Sequence, residues 1–281
     1  MSDLLCLIKA ARKPVIGMVQ LTALPGSCRF GGGRIDGVLE PALQEAEVLA
    51  AHGIDGLMVQ NLGDLPVDTR ATFAQVAWMT RVASELRRQF KLPVGLNLLE
   101  NDAEAMFAVA SAAAADFVRI KVFIGAMMTP FGIETAQAHA AIRARKAADA
   151  EGVAIFADVH DRTGTPIASG GFAEDLDFAV RLGGADGLVL TGKSTQQTLE
   201  YLAIAREALG AVPILVGGGA TAANFAELAS LADGVIVSSS LKDTASAFGR
   251  FDRAKVKAFM DAAGRARAPA RADAGTDVAA R

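Results

Sequence analysis

Asp158 and Asp161 stand three residues apart in the segment ADVHDRTG. Either carboxylate can act as a general base, and together with Asp64 they can ligate a hard cation such as Mg²⁺. The competing reading is that Asp158 caps the loop that follows and Asp161 is solvated. Lys121 and Lys193 are the candidate cations. An ammonium can polarise a carbonyl, form a Schiff base or pair with a phosphate, or merely reach solvent at a rim. Gln20, Gln60, Asn61 and Asn97 are hydrogen-bonding groups suited to a polar substrate. The stretch PILVGGGATAANF runs from apolar residues into Gly217, Gly218 and Gly219, and VSSSLKD places Ser238, Ser239 and Ser240 after another apolar run. Glycine lets backbone N–H groups approach an anion with no Cβ in the way. The two stretches are therefore the candidate phosphate site, although three glycines can equally form a tight turn.

Other reactive residues carry less. TGKST ends like a Walker A loop but lacks the upstream glycine, which argues against a nucleotide P-loop. His52 and His139 fall on helical stretches and read as structural or solvated. His160 is expected to face the helices or the loop while Asp158 turns inward. Cys6 and Cys28 have neither a metal-ligand spacing nor a disulfide framework, which fits a reducing compartment.

Short apolar runs must hold these residues in place. HGIDGLMVQN, AAADFVRIKV, GGADGLVLTG and SLADGVIVSSS each set an aspartate (Asp55, Asp116, Asp186, Asp233) just before such a run. Between them lie KPVIGMVQL, LPVGLNLL, GVAIFADVH and VPILVGGG. Three of these open on Pro14, Pro93 or Pro213, and proline is tolerated at the first residue of a strand. The eight runs read as strands of two alternating types, apolar enough to be covered on both faces. Helical spacing predicts helices over 36–52, 69–90, 134–150, 174–182, 195–209, 221–231 and 253–263, and Asp102 caps another.

Eight β-α units in about 250 residues predict an α/β fold, a single-domain (β/α)8 TIM barrel; a doubly wound sheet is the alternative. Residues 14–263 form the barrel, 1–13 cover its bottom, and the Ala/Arg/Asp-rich 264–281 form a flexible tail. Function in such a barrel sits at the C-terminal ends of the strands, and loops after the seventh and eighth often build a phosphate site. The glycines and serines fall there, with a helix expected after Thr221 to direct its N-terminus at the anion. On this placement Asp158, Lys121 and Asp64 are the candidate catalytic residues. Gln20, Gln60, Asn61, Asn97, Asp161 and Lys193 are the candidate substrate ligands. Mg²⁺ is the one candidate cofactor.

Composition sets the class. Of 281 residues 52% are hydrophobic and 21% charged, which provides a large core. A net charge of −3 leaves no basic footprint for nucleic acid. No apolar run reaches the ~18 residues of a membrane span, and Leu4–Ile8 is too short for the apolar part of a signal peptide. The expectation is a cytoplasmic protein without an integral membrane segment, whose partners are a small phosphorylated molecule and further copies of itself in a homo-oligomer.

In order and spacing, VIGMVQLTALPGSCRFGGG, GIDGLMVQNLGDLP, GLNLLEND, IKVFIGAMMTPFG, IFADV, LTGKST, LVGGGATAANF and DGVIVSSSLKD resemble the BtpA/SgcQ family, from about Pro14 to Met260. The resemblance implies a barrel of the ribulose-phosphate-binding type, with phosphate at Gly217–Gly219 and Ser238–Ser240. It implies no settled reaction. The founding member is linked to photosystem I biogenesis, and relatives in non-photosynthetic bacteria look like sugar- or nucleoside-metabolism proteins. The chain departs from the family pattern at Gln20, where histidine is usual, at Gln60, where glutamate is usual, and at Glu100, where arginine is usual. HDRTGTP stands where a Lys-His pair is common. Glutamine cannot titrate, so either the substrate differs, or Asp158, Asp64 and Lys121 carry the proton transfers, or the site binds without turnover.

Three functions compete. The first is an enzyme of isomerase, lyase or hydrolase type acting on a phosphorylated sugar or phosphoribosyl compound. The second is a non-catalytic assembly factor, with Phe123, Met127, Met128 and Phe131 of FIGAMMTPFG as its partner-binding patch; the same segment could be a lid or an oligomer contact. The third is a phosphosugar-binding module. A phosphoribosylanthranilate isomerase would share the barrel, but its strand-1 cysteine base has no counterpart, since Cys28 lies beyond the first strand.

Overall fold

The computed structural model describes residues 2–244 and 246–267. Along them run the strands β1 (Val15–Gln20), β2 (Gly56–Gln60), β3 (Val94–Asn97), β4 (Phe117–Ile120), β5 (Ala126–Thr129), β6 (Gly132–Thr135), β7 (Ala154–Asp158), β8 (Thr165–Pro166), β9 (Gly187–Leu190), β10 (Ile214–Val216) and β11 (Gly234–Val237). The α-helices are α1 (Asp3–Lys9), α2 (Asp36–Ala50), α3 (Phe73–Phe90), α4 (Ala103–Ala113), α5 (Ala138–Ala147), α6 (Phe172–Asp177), α7 (Thr195–Leu209), α8 (Phe225–Leu231) and α9 (Arg253–Arg267). Eight strands pair in parallel in the closed order β1-β11-β10-β9-β7-β4-β3-β2. Val15 lies opposite Val235, so the last strand returns to the first, which makes a (β/α)8 barrel and excludes a doubly wound sheet. Among the described residues no helix is long and apolar enough to cross a membrane.

The recurring aspartates have one structural job, repeated four times. Asp55, Asp116, Asp186 and Asp233 sit just before β2, β4, β9 and β11 and each accepts an N–H from the start of the preceding barrel strand. The four contacts, from Val15, Val94, Ile155 and Ile214, are all 2.8 Å. Each aspartate also pairs with an arginine: Asp55 with Arg267, Asp116 with Arg87, Asp186 with Arg145 and Asp233 with Arg206. A carboxylate that holds one backbone N–H and one guanidinium staples two strand starts together at the end of the barrel opposite the strand C-termini.

Period-two alternation decides what faces the barrel axis. Ile16, Met18, Met58, Phe117, Phe156, Val189, Leu215 and Ile236 form one buried cluster, together with Leu4 and Ile8 of α1. The other strand face packs against the helices, with Val15, Val19, Leu57, Val59, Val118 and Ile120 among them. Two residues beyond the axial cluster, the same inward face brings up Gln20, Gln60, Arg119, Asp158, Thr191, Gly217 and Ser238. The apolar plug of the barrel therefore ends in a polar layer.

Several predicted helices are corrected. Residues 134 and 135 do not start a helix but end strand β6, which pairs antiparallel with β5; β5 also pairs with β8, making a small sheet over the strand ends. The helix follows only at Ala138. The segment 174–182 is α6 followed by a five-residue π-helical turn, Phe178–Leu182. α8 begins at Phe225 rather than after Thr221, because Thr221 and Asn224 bond each other's backbone and side chain in a turn. The expected cap at Asp102 is present, accepting the Ala105 N–H at 3.1 Å. α9 continues to Arg267, so residues 264–267 of the expected tail are helical, and 268–281 lie outside the described residues.

Candidate active site at the barrel mouth

The strand C-termini open into a cavity of about 610 Å³. Of the expected site residues, Gln20, Gln60, Asn97, Lys121, Asp161, Gly217, Gly218, Gly219, Ser238, Ser239 and Ser240 all line it. Four do not. Lys193 is exposed, and its backbone N–H is held by Gln197 away from the cavity. Asn61 and Asp64 are fully buried behind the wall. Asp64 accepts from the Leu24 N–H at 2.6 Å and from the amides of Asn61 and Gln75 at 2.8 Å. The same two amides donate to Glu100, whose pKa is raised by burial despite the hydrogen bond from Asn61. Asp64 and Glu100 are thus the acceptors of a closed structural network, and Asp64 is corrected from a candidate catalyst to a support.

Asp158 is the fourth. It faces inward as expected, but both oxygens are engaged by Arg119: Nε donates to Oδ2 and Nη2 to Oδ1, each at 2.7 Å. Burial pushes the Asp158 carboxyl up to about 6, even against the pull of Arg119. The residue that reaches the cavity is Arg119, whose backbone carbonyl accepts from Asn97 and whose Nη1 lies 3.5 Å from the Gly217 carbonyl oxygen. Asp64, Asp158 and Asp161 therefore do not converge as a Mg²⁺ site. Among the described residues no group of three or more His, Cys, Asp or Glu is arranged to hold a metal ion.

His160 turns away, as expected. Two residues after Asp158 a regular strand would bring it back to the inner face, but its φ of +54° ends the extension. The ring meets Asp175 of α6 at 2.6 Å and the Phe172 edge.

Besides Arg119 and Arg162, the charged residues that share the cavity are Lys121, Asp161 and Glu134. Lys121 Nζ lies 3.8 Å from Asp161 Oδ1 and donates to Thr163 Oγ1 at 3.1 Å. Burial works against the Asp161 charge, but Lys121 and Arg119 outweigh it, and the carboxyl is held below the ordinary range. Glu134 shows the opposite shift: burial raises its pKa, against Lys121 and with Asp161. Sequence reasoning missed Glu134 by placing it in a helix. It sits on β6 opposite Met127, both on the face turned to the barrel, while the next pair, Met128 and Ile133, faces out. The turn Pro130-Phe131-Gly132 between two short alternating segments is the hairpin signal that could have found it.

Opposite this cluster lie the two loops read as a phosphate site. Gly217 is constrained by packing: a Cβ there would lie 2.4 Å from Val189 Cγ1 and 2.9 Å from Arg119 Nη2. Gly219 has φ +77°, which suits glycine. Among the described residues, the N–H groups of Gly218, Gly219, Ser239 and Ser240 make no hydrogen bond within the protein. Ser240 Oγ ties the loops together through the Ala220 carbonyl at 2.7 Å, whereas the buried Ser238 Oγ has no partner. Because α8 starts late, the N–H groups without a partner here belong to the loops rather than to a helix end. Arg162, which sequence reasoning left out of the site, hangs over them. A Cβ on Gly218 would be 3.2 Å from its Nη2, and it has no ion pair among the described residues.

A family model described as the BtpA family matches residues 11–265. The chain belongs to the BtpA family. It is 38% identical over 252 residues to the photosystem I biogenesis protein BtpA of Synechocystis, covering 89% of this chain and 87% of that protein. It is 39% identical over 233 residues to an uncharacterized protein of Thermococcus kodakarensis, covering 82% and 87%. Solved structures of the same fold include tryptophan synthase from M. tuberculosis (TM-score 0.61, 18% identity, 95% of this chain and 100% of that one). N-(5'-phosphoribosyl)anthranilate isomerase from Pyrococcus furiosus is another (TM-score 0.55, 17% identity, 90% and 98%). At these identities the likeness is one of fold.

Proposed function

We propose that this BtpA-family barrel binds the phosphate of a small phosphorylated sugar or phosphoribosyl compound and moves a proton on it, as an isomerase, lyase or hydrolase does. One observation carries the reading. Two loops with unspent backbone N–H groups and an unpaired guanidinium, Arg162, share one cavity with a carboxylate pair whose pKa values are pushed apart. Backbone N–H clusters and arginine are the donors a phosphate needs. Two carboxyls tuned in opposite directions are the pattern of an acid and a base working together. Glu134, held protonated to higher pH, is the acid; Asp161, held ionised beside Lys121, is the base. The fold is shared with a solved structure whose name carries a phosphorylated ligand, N-(5'-phosphoribosyl)anthranilate isomerase, which is compatible with the reading.

Incubation of the protein in D₂O with a panel of aldose and ketose phosphates, followed by proton NMR, tests it. The expected result is C–H to C–D exchange or turnover of at least one compound, lost in Glu134→Gln. Compounds that bind without exchange or conversion would reduce the site to a binding module.

A second reading has its own observation. Met128, Phe131 and Ile133 leave half or so of their surface exposed on the hairpin (50%, 49% and 57%). Such a face suits a protein partner or another copy of the chain, in keeping with the assembly role in the Synechocystis relative's name. Lysine at Met128 and Ile133 would abolish such association and leave the chemistry intact.

A further inference from the structure

A series of three amides at the barrel mouth fixes the polarity of its own free end. Asn97 Nδ2 donates to the backbone carbonyl of Arg119 at 2.9 Å. A carbonyl only accepts, so Asn97 must turn its NH₂ there and its Oδ1 to the other side. Gln60 therefore turns its NH₂ to Asn97 Oδ1 and its Oε1 toward Gln20. Gln20 in turn offers its NH₂ to Gln60 Oε1 at 3.4 Å, and to the Met18 thioether, another acceptor, at 3.6 Å. The strand register places these amides side by side, Gln20 opposite Gln60 and Gln60 opposite Asn97. What remains is Gln20 Oε1: an acceptor, buried, on a residue that lines the cavity, with no donor in the protein.

We infer that Gln20 is a specificity-determining residue, and that the ligand carries a hydrogen-bond donor, a hydroxyl or N–H, which Gln20 Oε1 receives. The amide cannot flip to suit a ligand group that only accepts, because flipping Gln20 would set its oxygen against Gln60 Oε1, and the series is anchored at a backbone carbonyl. A ketone or carboxylate oxygen at this position would meet lone pairs, and a hydroxyl would satisfy a carbonyl that is costly to leave unpaired. Ser238, whose hydroxyl is likewise buried without a partner, stands on the adjacent strand end and can turn to either kind of group. The inference rests on the proposed phosphate site for the ligand's other end, which makes the ligand a phosphate compound that also carries a hydroxyl or N–H donor.

The test is an NMR titration of the wild type and Gln20→Met with inorganic phosphate, ribose 5-phosphate and ribose; Gln20→Leu replaces the methionine variant if that one does not fold. Phosphate is expected to bind both proteins alike. Ribose 5-phosphate is expected to bind the wild type more tightly than phosphate does and to lose about ten-fold in the variant. Equal binding of ribose 5-phosphate to both proteins, or binding to the wild type no tighter than phosphate, overturns the inference and leaves the phosphate site standing. If phosphate binds neither protein, the phosphate reading fails and the ribose arm decides alone. A ribose-dependent shift of the Gln20 side-chain amide upholds the inference, and its absence overturns it.

Discussion

Arg119 grips Asp158 at both carboxylate oxygens, 2.7 Å from each, with both side chains buried. The aspartate that looks most like a general base in the sequence is therefore the anchor of an arginine. The pair crosses from β4 to β7 and, through the Gly217 carbonyl, reaches the loop after β10. The charged residues left to work in the cavity are those that the end of β4, the hairpin and the loop after β7 bring to it.

Removing Arg119 should cost more stability at alkaline than at acid pH. Asp158 has its folded pKa near 6, above its ordinary 3.8, so the native state binds the extra proton between those values. Its contribution to stability is complete at low pH and declines as pH rises through about 4 to 6. Without the guanidinium the carboxyl rises further and the decline extends to neutrality. Arg119→Met should lose about 3–5 kcal/mol at pH 8 and clearly less at pH 5, as read by urea denaturation. Equal losses at the two pH values would show that packing, not charge, is what Arg119 provides.

Gly217→Ala should destabilise the fold by about 1–3 kcal/mol, because its methyl would enter the space held by Val189, Thr191 and Arg119. Thermal melting checks this; a melting temperature unchanged from wild type would mean that the loop after β10 moves freely.

Arg162 is exposed and without an ion pair, so its removal should spare the fold and weaken the anion site. Arg162→Ala should stay within about 0.5 kcal/mol of wild-type stability. Its affinity for inorganic phosphate should fall by about ten-fold or more, the worth of a charge-assisted hydrogen bond. Calorimetric titration that finds no change in affinity removes Arg162 from the site.

Asp64 and Glu134 should separate cleanly. Asp64→Ala strips the acceptor from the Leu24 N–H and two buried amides and should cost at least about 2 kcal/mol. Glu134→Gln should fold normally and lower turnover by about 10²–10⁴-fold, the usual worth of a general acid. A stable Asp64→Ala that has lost activity would return Asp64 to the chemistry.

The barrel was legible in the sequence because its punctuation has a physical cause. Each aspartate before an apolar run holds a backbone N–H, and Pro14, Pro93 and Pro213 each stand one residue before a strand, where no N–H is needed. The arginines that complete the four staples come from distant helices, and no local pattern announces them. The glycines, serines, Gln20, Gln60, Asn97, Lys121 and Asp161 line the cavity because they lie at or just beyond strand ends. Asp64, Asn61 and Asp158 were misjudged because residue type shows that a group can ionise or hydrogen-bond, not which neighbours have already claimed it. Glu134 was missed for a simpler reason: its four-residue strand pairs only with another short strand, and a helical pattern runs on just after it.

The central claim, that the loops after β10 and β11 bind phosphate, is tested most directly by a crystal structure of the protein soaked with ribose 5-phosphate. The expected result is the phosphate group within hydrogen-bond distance of the Gly219 and Ser239 N–H groups, with the Arg162 guanidinium closing over it. Phosphate bound elsewhere in the cavity, or an empty cavity at saturating ligand, would contradict the account.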